Sequence, residues 1–479
     1  MLMMASSKKG PYFKGILWSS GANIVSMCAS LLTIMIAARI LSKDDLGAYF
    51  LVMVIVQIAL VLGNVGFRNA AIRFLTHHAD EDDARSTLSR YLLTINIIFS
   101  MILSITLAIV LPFLVKLWPS NSFSEVVWYS VLITFLINNR QMGLSVLAGH
   151  NLFGSMSIII TVIEIFRMGI SIYLLYIGLG VSSLLISMSI SNAIGLGFAW
   201  YALPISYMKP LFRHGQAKEI FYFGGWMYGA SLASVINVKT AEAILTTYLG
   251  TVALATYSTA MQVPSMLQRI FESVKPVILG YVSSLQLETF QSSIVTVRLL
   301  SVLLSSCAAV LIVIAQPLMV FIFSSKYQES IPIMQLLSTW VSIGIVNYYL
   351  TIIMIGKGRT KQVFFMSIFQ LITMIGSAVL LVPYYQGKGA AISLIITSVV
   401  GYFFGSWLVS ERSLKIFFGL ILIFFRSSLL SIALVSYIVF EGLDIRETIF
   451  FSMFTILCFF LLRVVTISDL KLIMNRLLN

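Results

Sequence analysis

The chain has 479 residues, 59% of them hydrophobic and only 10% charged, and its mean hydropathy is +0.98. Soluble domains lie nearer about 45–50% apolar, so a soluble globule is excluded and an all-α polytopic membrane protein is expected. The formal charge of +13 would suit a nucleic-acid binder, but the basic residues fall in short segments between apolar runs, as topology signals do, and no nucleic-acid partner is expected.

Apolar windows of about 20 residues predict about fourteen transmembrane helices. The first, roughly 16–37, carries Asn23; nothing before it reads as a cleavable signal, so this helix is expected to direct its own insertion. Spans near 48–67, 91–113 and 126–148 follow, the last with Asn138, Asn139, Arg140 and Gln141. The span near 155–177 holds Glu164 and Arg167, and one near 182–203 closes the first six. A second six lies near 220–241, 251–274, 297–322, 331–355, 362–383 and 390–410. Its first two members carry Asn237, Lys239 and Glu242, then Arg269 and Glu272. Two further spans, near 417–439 and 447–467, complete the series.

The two sixes repeat one another. Trp18, Gly21, Ala22, Ser26, Ile36, Leu41, Leu46 and Tyr49 recur about 208 residues later as Trp226, Gly229, Ala230, Ser234, Ile244, Leu249, Leu254 and Tyr257. Gly149, Tyr176, Gly178 and Gly180 recur as Gly358, Tyr385, Gly387 and Gly389. An even number of spans between copies preserves direction through the membrane, so two parallel six-helix lobes are expected, residues 1–215 and 216–412, with residues 413–479 as two additional helices. Duplicated bundles of this kind hold a substrate site between lobes that rock.

Lys and Arg set the orientation. Both termini lie on the side that receives about twenty of them, while the other side receives only Arg39, Lys43, Lys116, Lys326, Lys388 and Arg446. Both termini are therefore expected in the cytoplasm. The segments near 68–90 and 275–296 read as the longest cytoplasmic loops, too short for a domain.

Ionisable residues within spans each cost at least about 2.5–3.5 kcal/mol at the membrane centre unless paired or wetted. Arg140, Glu164, Arg167, Lys239, Glu242, Arg269, Glu272 and Arg426 are the candidates. Glu164 with Arg167, Lys239 with Glu242 and Arg269 with Glu272 are opposite charges three apart, on one helix face. Two readings stand: self-compensated pairs that dock helices, or the lining of a hydrated cavity in which Arg140, Arg167, Lys239 and Arg269 attract an anionic substrate group. Arg140 also suits snorkelling to the interface. Glu164, Glu242 or Glu272 would carry any proton or sodium coupling, and Asn23 and Asn237 are polar cavity candidates.

Catalytic constellations are not found. His77 and His78 beside Asp80, Glu81, Asp82 and Asp83 read as a solvated loop, not a metal site, and no phosphate-cradling Gly-rich motif occurs. Cys28, Cys307 and Cys458 sit in apolar runs and suggest no disulfide framework. No enzyme activity, cofactor or metal is expected.

The segment Lys14-Gly15-x-x-Trp18-Ser19 through Ala38-Arg39-Ile40-Leu41-Ser42-Lys43-Asp44-Asp45-Leu46-Gly47-Ala48-Tyr49 closely resembles the start of bacterial polysaccharide-export flippases of the O-antigen type, in the multidrug/oligosaccharidyl-lipid/polysaccharide exporter superfamily. Gly66-Phe67-Arg68 to Ile72-Arg73-Phe74, the region of Tyr257 and Pro264, and Pro383-x-x-x-Gly387-x-Gly389-Ala390-Ala391 are similar to that family's recurrent stretches. The resemblance implies a fold like that of multidrug exporters and the lipid II flippase. It implies an inner-membrane protein that moves a polyprenyl-pyrophosphate-linked oligosaccharide, such as an O-antigen repeat unit, to the outer leaflet by alternating access. Partners would be that lipid-linked substrate, membrane lipids, and the polymerase and chain-length machinery. The two last helices would form a track for the lipid tail. Gly21-Ala22-Asn23 offers no Arg-Asp pair, which argues against lipid II as cargo. A cation-coupled multidrug exporter is the alternative; it would be expected to hold acids alone in the first lobe, whereas Glu164 is accompanied by Arg167.

Overall fold

A computed structural model describes residues 9–64, 66–77, 82–212, 217–284, 304–357, 359–410 and 417–422, together with positions 215, 414 and 424. Among these residues there is helix and no strand. Among the described residues eight helices are long and apolar enough to cross a membrane, nine when one bent pair is taken as a single span. The chain is an all-α multi-pass membrane protein. Most of the last two expected spans, with Arg426, lies outside the described residues.

The first copy runs α1 (Lys9–Ile40), α2 (Lys43–Gly63), α3 (Phe67–His77), α4 (Asp82–Leu117), α5 (Asn121–Val126), α6 (Tyr129–Gly149), α7 (Phe153–Ile177) and α8 (Ser182–Tyr201). Local chemistry explains its boundaries. Ser42, in extended backbone, caps α2 by accepting from the Asp45 amide at 3.0 Å, and Asp44 and Asp45 sit in the first turn, where the helix dipole favours acids. Ser120 caps α5 from the Phe123 amide at 3.3 Å. Gly178, at φ +91°, closes α7 in the left-handed conformation that glycine adopts without steric penalty.

One stretch differs from its sequence reading. Residues 68–90, read as a loop, contain α3 and the start of α4. Arginine and histidine make α3 look solvated, yet Phe67, Ala70, Ala71 and Leu75 share one face. That face is buried against Leu88, Tyr91 and Leu92 of α4 and Leu147 of α6. Likewise helix extends to Ser284, into the second segment read as a loop.

The second copy breaks where the first turns. α9 (Ala217–Ser284) is interrupted at Gly250, with φ 78° and ψ −175°, the repeat counterpart of Ser42 between α1 and α2. α10 (Leu304–Val313) and α11 (Ala315–Phe323) bend by 66°. α12 (Ser330–Gly356) follows, and α13 (Thr360–Val409) is interrupted at Gln386, with φ 52°, beside the Gly387-x-Gly389 counterpart of the turn after α7. α9 and α13 therefore each correspond to two expected spans. Tertiary contacts divide the chain into two compact units, one reaching Ala255 and the other beginning at Thr256. The first thus contains the first copy and the opening span of the second.

Candidate functional site

Three of the expected site residues converge in the first unit. Glu164 and Arg167, one turn apart on α7, form an ion pair in which Arg167 donates from Nε at 2.9 Å and Nη2 at 2.6 Å to Glu164 Oε2. Both side chains are largely buried, 15% and 13% exposed, which keeps the pair in a weakly screened environment. The Tyr49 hydroxyl of α2 also bonds Arg167, and Arg140 of α6 lies within the electrostatic reach of Glu164 and Arg167. Arg167 thus holds the carboxylate while Arg140 stands nearby without bonding it, leaving a net positive group.

Glycine makes this approach possible. A Cβ on Gly195 of α8 would collide with Ile163 Cδ1 and lie 2.8 Å from Arg140 Cδ. The stem of Arg140 therefore rests against the backbone of α8, while its buried Nε has no hydrogen-bond partner. By the rise of a helix, Arg140 is about 13 Å from the Gly149 end of α6, and Arg167 about 21 Å from the Phe153 start of α7. The group therefore sits well inside the spans.

The other expected residues are distributed differently. Lys239 Nζ pairs with Glu242 Oε1 at 2.6 Å on α9, with Glu242 buried, and no hydrogen bond joins this pair to the Arg140 group. Arg269 is exposed, and the side chain of Glu272 lies outside the described residues, so that expected pair is not observed. Asn23 is exposed on α1, whereas Asn237 is buried with its Oδ1 unpartnered. Asn138 and Asn139 tie helices together: Asn138 Nδ2 donates to Ser100 Oγ at 2.6 Å, and Asn96 Nδ2 to Asn139 Oδ1 at 3.1 Å.

Sequence reasoning missed two contributors, whereas Gly195 with Gly197 is legible in the sequence as a small-residue site for close helix approach. Tyr49 was visible as a repeat marker but not as a partner of Arg167. The other is Arg68 of α3, read only as a topology signal. It is half-buried, donates from Nη1 to the Gln141 side chain, and keeps a buried Nε without a partner. Burial pushes its guanidinium down to about 10, which leaves it cationic near neutral pH.

The same end of the first unit is knit by neutral acceptors. Arg85 Nη2 donates to the Gly149 carbonyl at 3.4 Å and Arg90 Nε to the Lys209 carbonyl at 3.0 Å. Ser89 and His150 bond at 3.1 Å, and the His150 ring lies 5.4 Å from that of Tyr207. At the opposite end, Ser120 and Ser122 donate to Asp44 and Asp45, Trp118 Nε1 donates to Thr247 at 2.8 Å, and Thr251 Oγ1, just past the Gly250 break, bonds Asp44.

Known proteins share this architecture. The fold matches the lipid II flippase MurJ in an inward closed conformation with a TM-score of 0.72 at 16% identity, over 93% of this chain and 98% of that one. An inward-facing multidrug resistance transporter of the MATE family and the MOP superfamily matches with a TM-score of 0.64 at 18% identity, over 82% and 99% of the two chains. In sequence, the succinoglycan biosynthesis transport protein ExoT of Rhizobium meliloti (strain 1021) is 22% identical over 405 residues, 82% of this chain and 78% of the relative. The profile of the polysaccharide biosynthesis protein family matches residues 36–332, well over half of the chain. A duplicated helical membrane fold shared with these transporters, and a family profile spanning the first copy and the break at Gly250, lead to one assignment: the chain belongs to the polysaccharide biosynthesis protein family.

Proposed function

We propose that the chain is a membrane flippase that moves a polyprenyl-pyrophosphate-linked oligosaccharide, the repeat unit of a surface polysaccharide, from the cytoplasmic to the outer leaflet by alternating access. The observation that carries this reading is the Arg140–Glu164–Arg167 group. Deep in the spans Arg167 is paired with Glu164, Arg140 stands within electrostatic reach of both, and guanidinium forks match the geometry of phosphate oxygens. Such a group favours an anionic headgroup over a cationic drug, whose exporter would need unpaired acids instead.

In this scheme the lobes 1–215 and 216–412 rock about the headgroup while the helices of 413–479 guide the lipid tail. Lys239 and Arg269 add positive charge, Asn23 and Asn237 offer bonds to sugar hydroxyls, and Glu164, Glu242 or Glu272 takes up a proton or sodium ion. The protein resides in a bacterial inner membrane with both termini cytoplasmic, beside the polymerase and chain-length machinery.

The test follows outward appearance of lipid-linked oligosaccharide in a strain lacking the gene. It is complemented with wild type or with Arg140→Ala, Arg167→Ala, Lys239→Ala or Arg269→Ala, each checked for membrane abundance. Glycolipid stranded on the inner leaflet, unrelieved by normally abundant Arg140→Ala and Arg167→Ala, is the expected result. Undisturbed translocation in the deletion strain would overturn the substrate and favour the multidrug exporter. Full rescue by every variant would keep the cargo and overturn the site.

A further inference from the structure

Arg68 is a charge without a counter-charge among the described residues. Its side chain donates to the neutral Gln141 amide, its Nε is buried and unpartnered, and among the described residues no carboxylate pairs with it. A guanidinium has five donors, and one neutral acceptor satisfies a small part of them. Burying a cation in this way is unfavourable unless an anion completes the site.

Its position is informative. Gln141 directly follows Arg140, so one level of α6 carries a tether to Arg68 and, beside it, Arg140 with an equally unpartnered Nε. Arg85 and Arg90, toward the end of α6 at Gly149, add positive charge there and bond backbone carbonyl oxygens. Arg68 belongs to α3, beside Arg85 and Arg90 of α4 in sequence, and its bond to Gln141 brings its guanidinium to the level of α6 that carries Arg140.

We propose that Arg68 is a further anion-binding residue, a receiving station for a phosphate or pyrophosphate headgroup on its way to Arg140 and Arg167. This rests on the flippase reading given above and adds to it the residue that takes the headgroup first. Its Nε and remaining Nη hydrogens bind phosphate oxygens, while Gln141 holds the fork in place. The headgroup chemistry is shared by the isoprenyl pyrophosphate substrate and by acidic membrane phospholipids, and the two sources are separable.

The experiment uses the full-length protein in phosphatidylcholine nanodiscs, titrated with farnesyl pyrophosphate at several salt concentrations, for wild type, Arg68→Gln, Arg68→Lys and Arg167→Gln. Each variant's unfolding midpoint is recorded. The expected result is at least tenfold weaker binding and a shallower salt dependence for Arg68→Gln, with Arg68→Lys keeping the salt dependence and part of the affinity. A merely structural Arg68 would move the midpoint but not the salt slope. In a second arm, nanodiscs containing phosphatidylglycerol are analysed for retained lipid. Loss of phosphatidylglycerol from Arg68→Gln, with farnesyl pyrophosphate binding intact, would assign the station to a lipid headgroup. Unchanged binding in both arms for Arg68→Gln, with binding lost in Arg167→Gln, overturns this inference alone. Unchanged binding in Arg167→Gln as well overturns the flippase site with it.

Discussion

In the flippase proposal, Glu164 occupies the place on Arg167 that a substrate phosphate takes. Its carboxylate holds two of the Arg167 donors at 2.6 and 2.9 Å, so substrate must compete with an internal anion. Glu164→Gln is expected to tighten pyrophosphate binding in a titration of the purified protein, because the competitor loses its charge. It should also lower stability by about 3 kcal/mol, since the buried Arg167 guanidinium is left without its carboxylate. Weaker pyrophosphate binding in this variant would show that Glu164 organises the site instead of competing for it. Gly195 controls the neighbouring guanidinium by size alone. Gly195→Ala pushes a methyl onto Ile163 and the Arg140 stem, and overpacking of this kind costs about 1–3 kcal/mol. Transport should fall with it, and Gly195→Ala combined with Ile163→Val should recover part of both transport and unfolding midpoint. A double variant no better than the single one would mean that the collision with Ile163 is not the cause.

Among the elements, the breaks within α9 and α13 determine where each span ends. Gly250, at φ 78° and ψ −175°, occupies backbone space that is essentially glycine's own, and nothing lies within 4 Å of where its Cβ would be. The cost of Gly250→Ala is therefore backbone strain alone, about 1–3 kcal/mol. Gly21→Ala, in ordinary helix with equally open space, should be neutral or stabilising by up to about 1 kcal/mol. Unfolding midpoints of the two detergent-solubilised variants should move in opposite senses, and equal shifts would contradict the strain argument. Helical periodicity and apolar length made the spans legible. The span windows left a gap between 241 and 251 in which the break falls, without singling out Gly250, and Gly178-x-Gly180 marks the turn after α7. The positive φ of Gln386 was not legible, because glutamine carries no signal for that conformation. The ion pair of Glu164 and Arg167 was visible because a spacing of three is local. The approach of Arg140 to that pair, and the Arg68 bond to Gln141, depend on helices packing across long sequence separations, which spacing does not encode. α3 was hidden for a related reason: only packing reveals that one side of a charged segment is core.

At the scale of the molecule, α2 bridges the repeat. Near its start Asp44 bonds Thr251, past the break in α9, and near its end the Leu62 carbonyl accepts from the Tyr228 hydroxyl at 3.0 Å. One helix of the first copy is thus tied near its end to the opening span of the second copy and near its start to the span that follows the break. In the alternating-access proposal, rocking that exposes the buried guanidiniums to each side in turn opens one of these ties while the other persists. The Asp44 tie lies at the end poor in Lys and Arg, the outward side in the flippase proposal. A chain with Cys28, Cys307 and Cys458 replaced by Ala, and carrying Asp44→Cys with Thr251→Cys, should transport while reduced. It should stop when an oxidant closes the bond and resume when reductant opens it. The single-cysteine variants should ignore both treatments. A fully crosslinked protein that still delivers glycolipid to the outer leaflet would show that this end does not open, and alternating access through it would have to be abandoned.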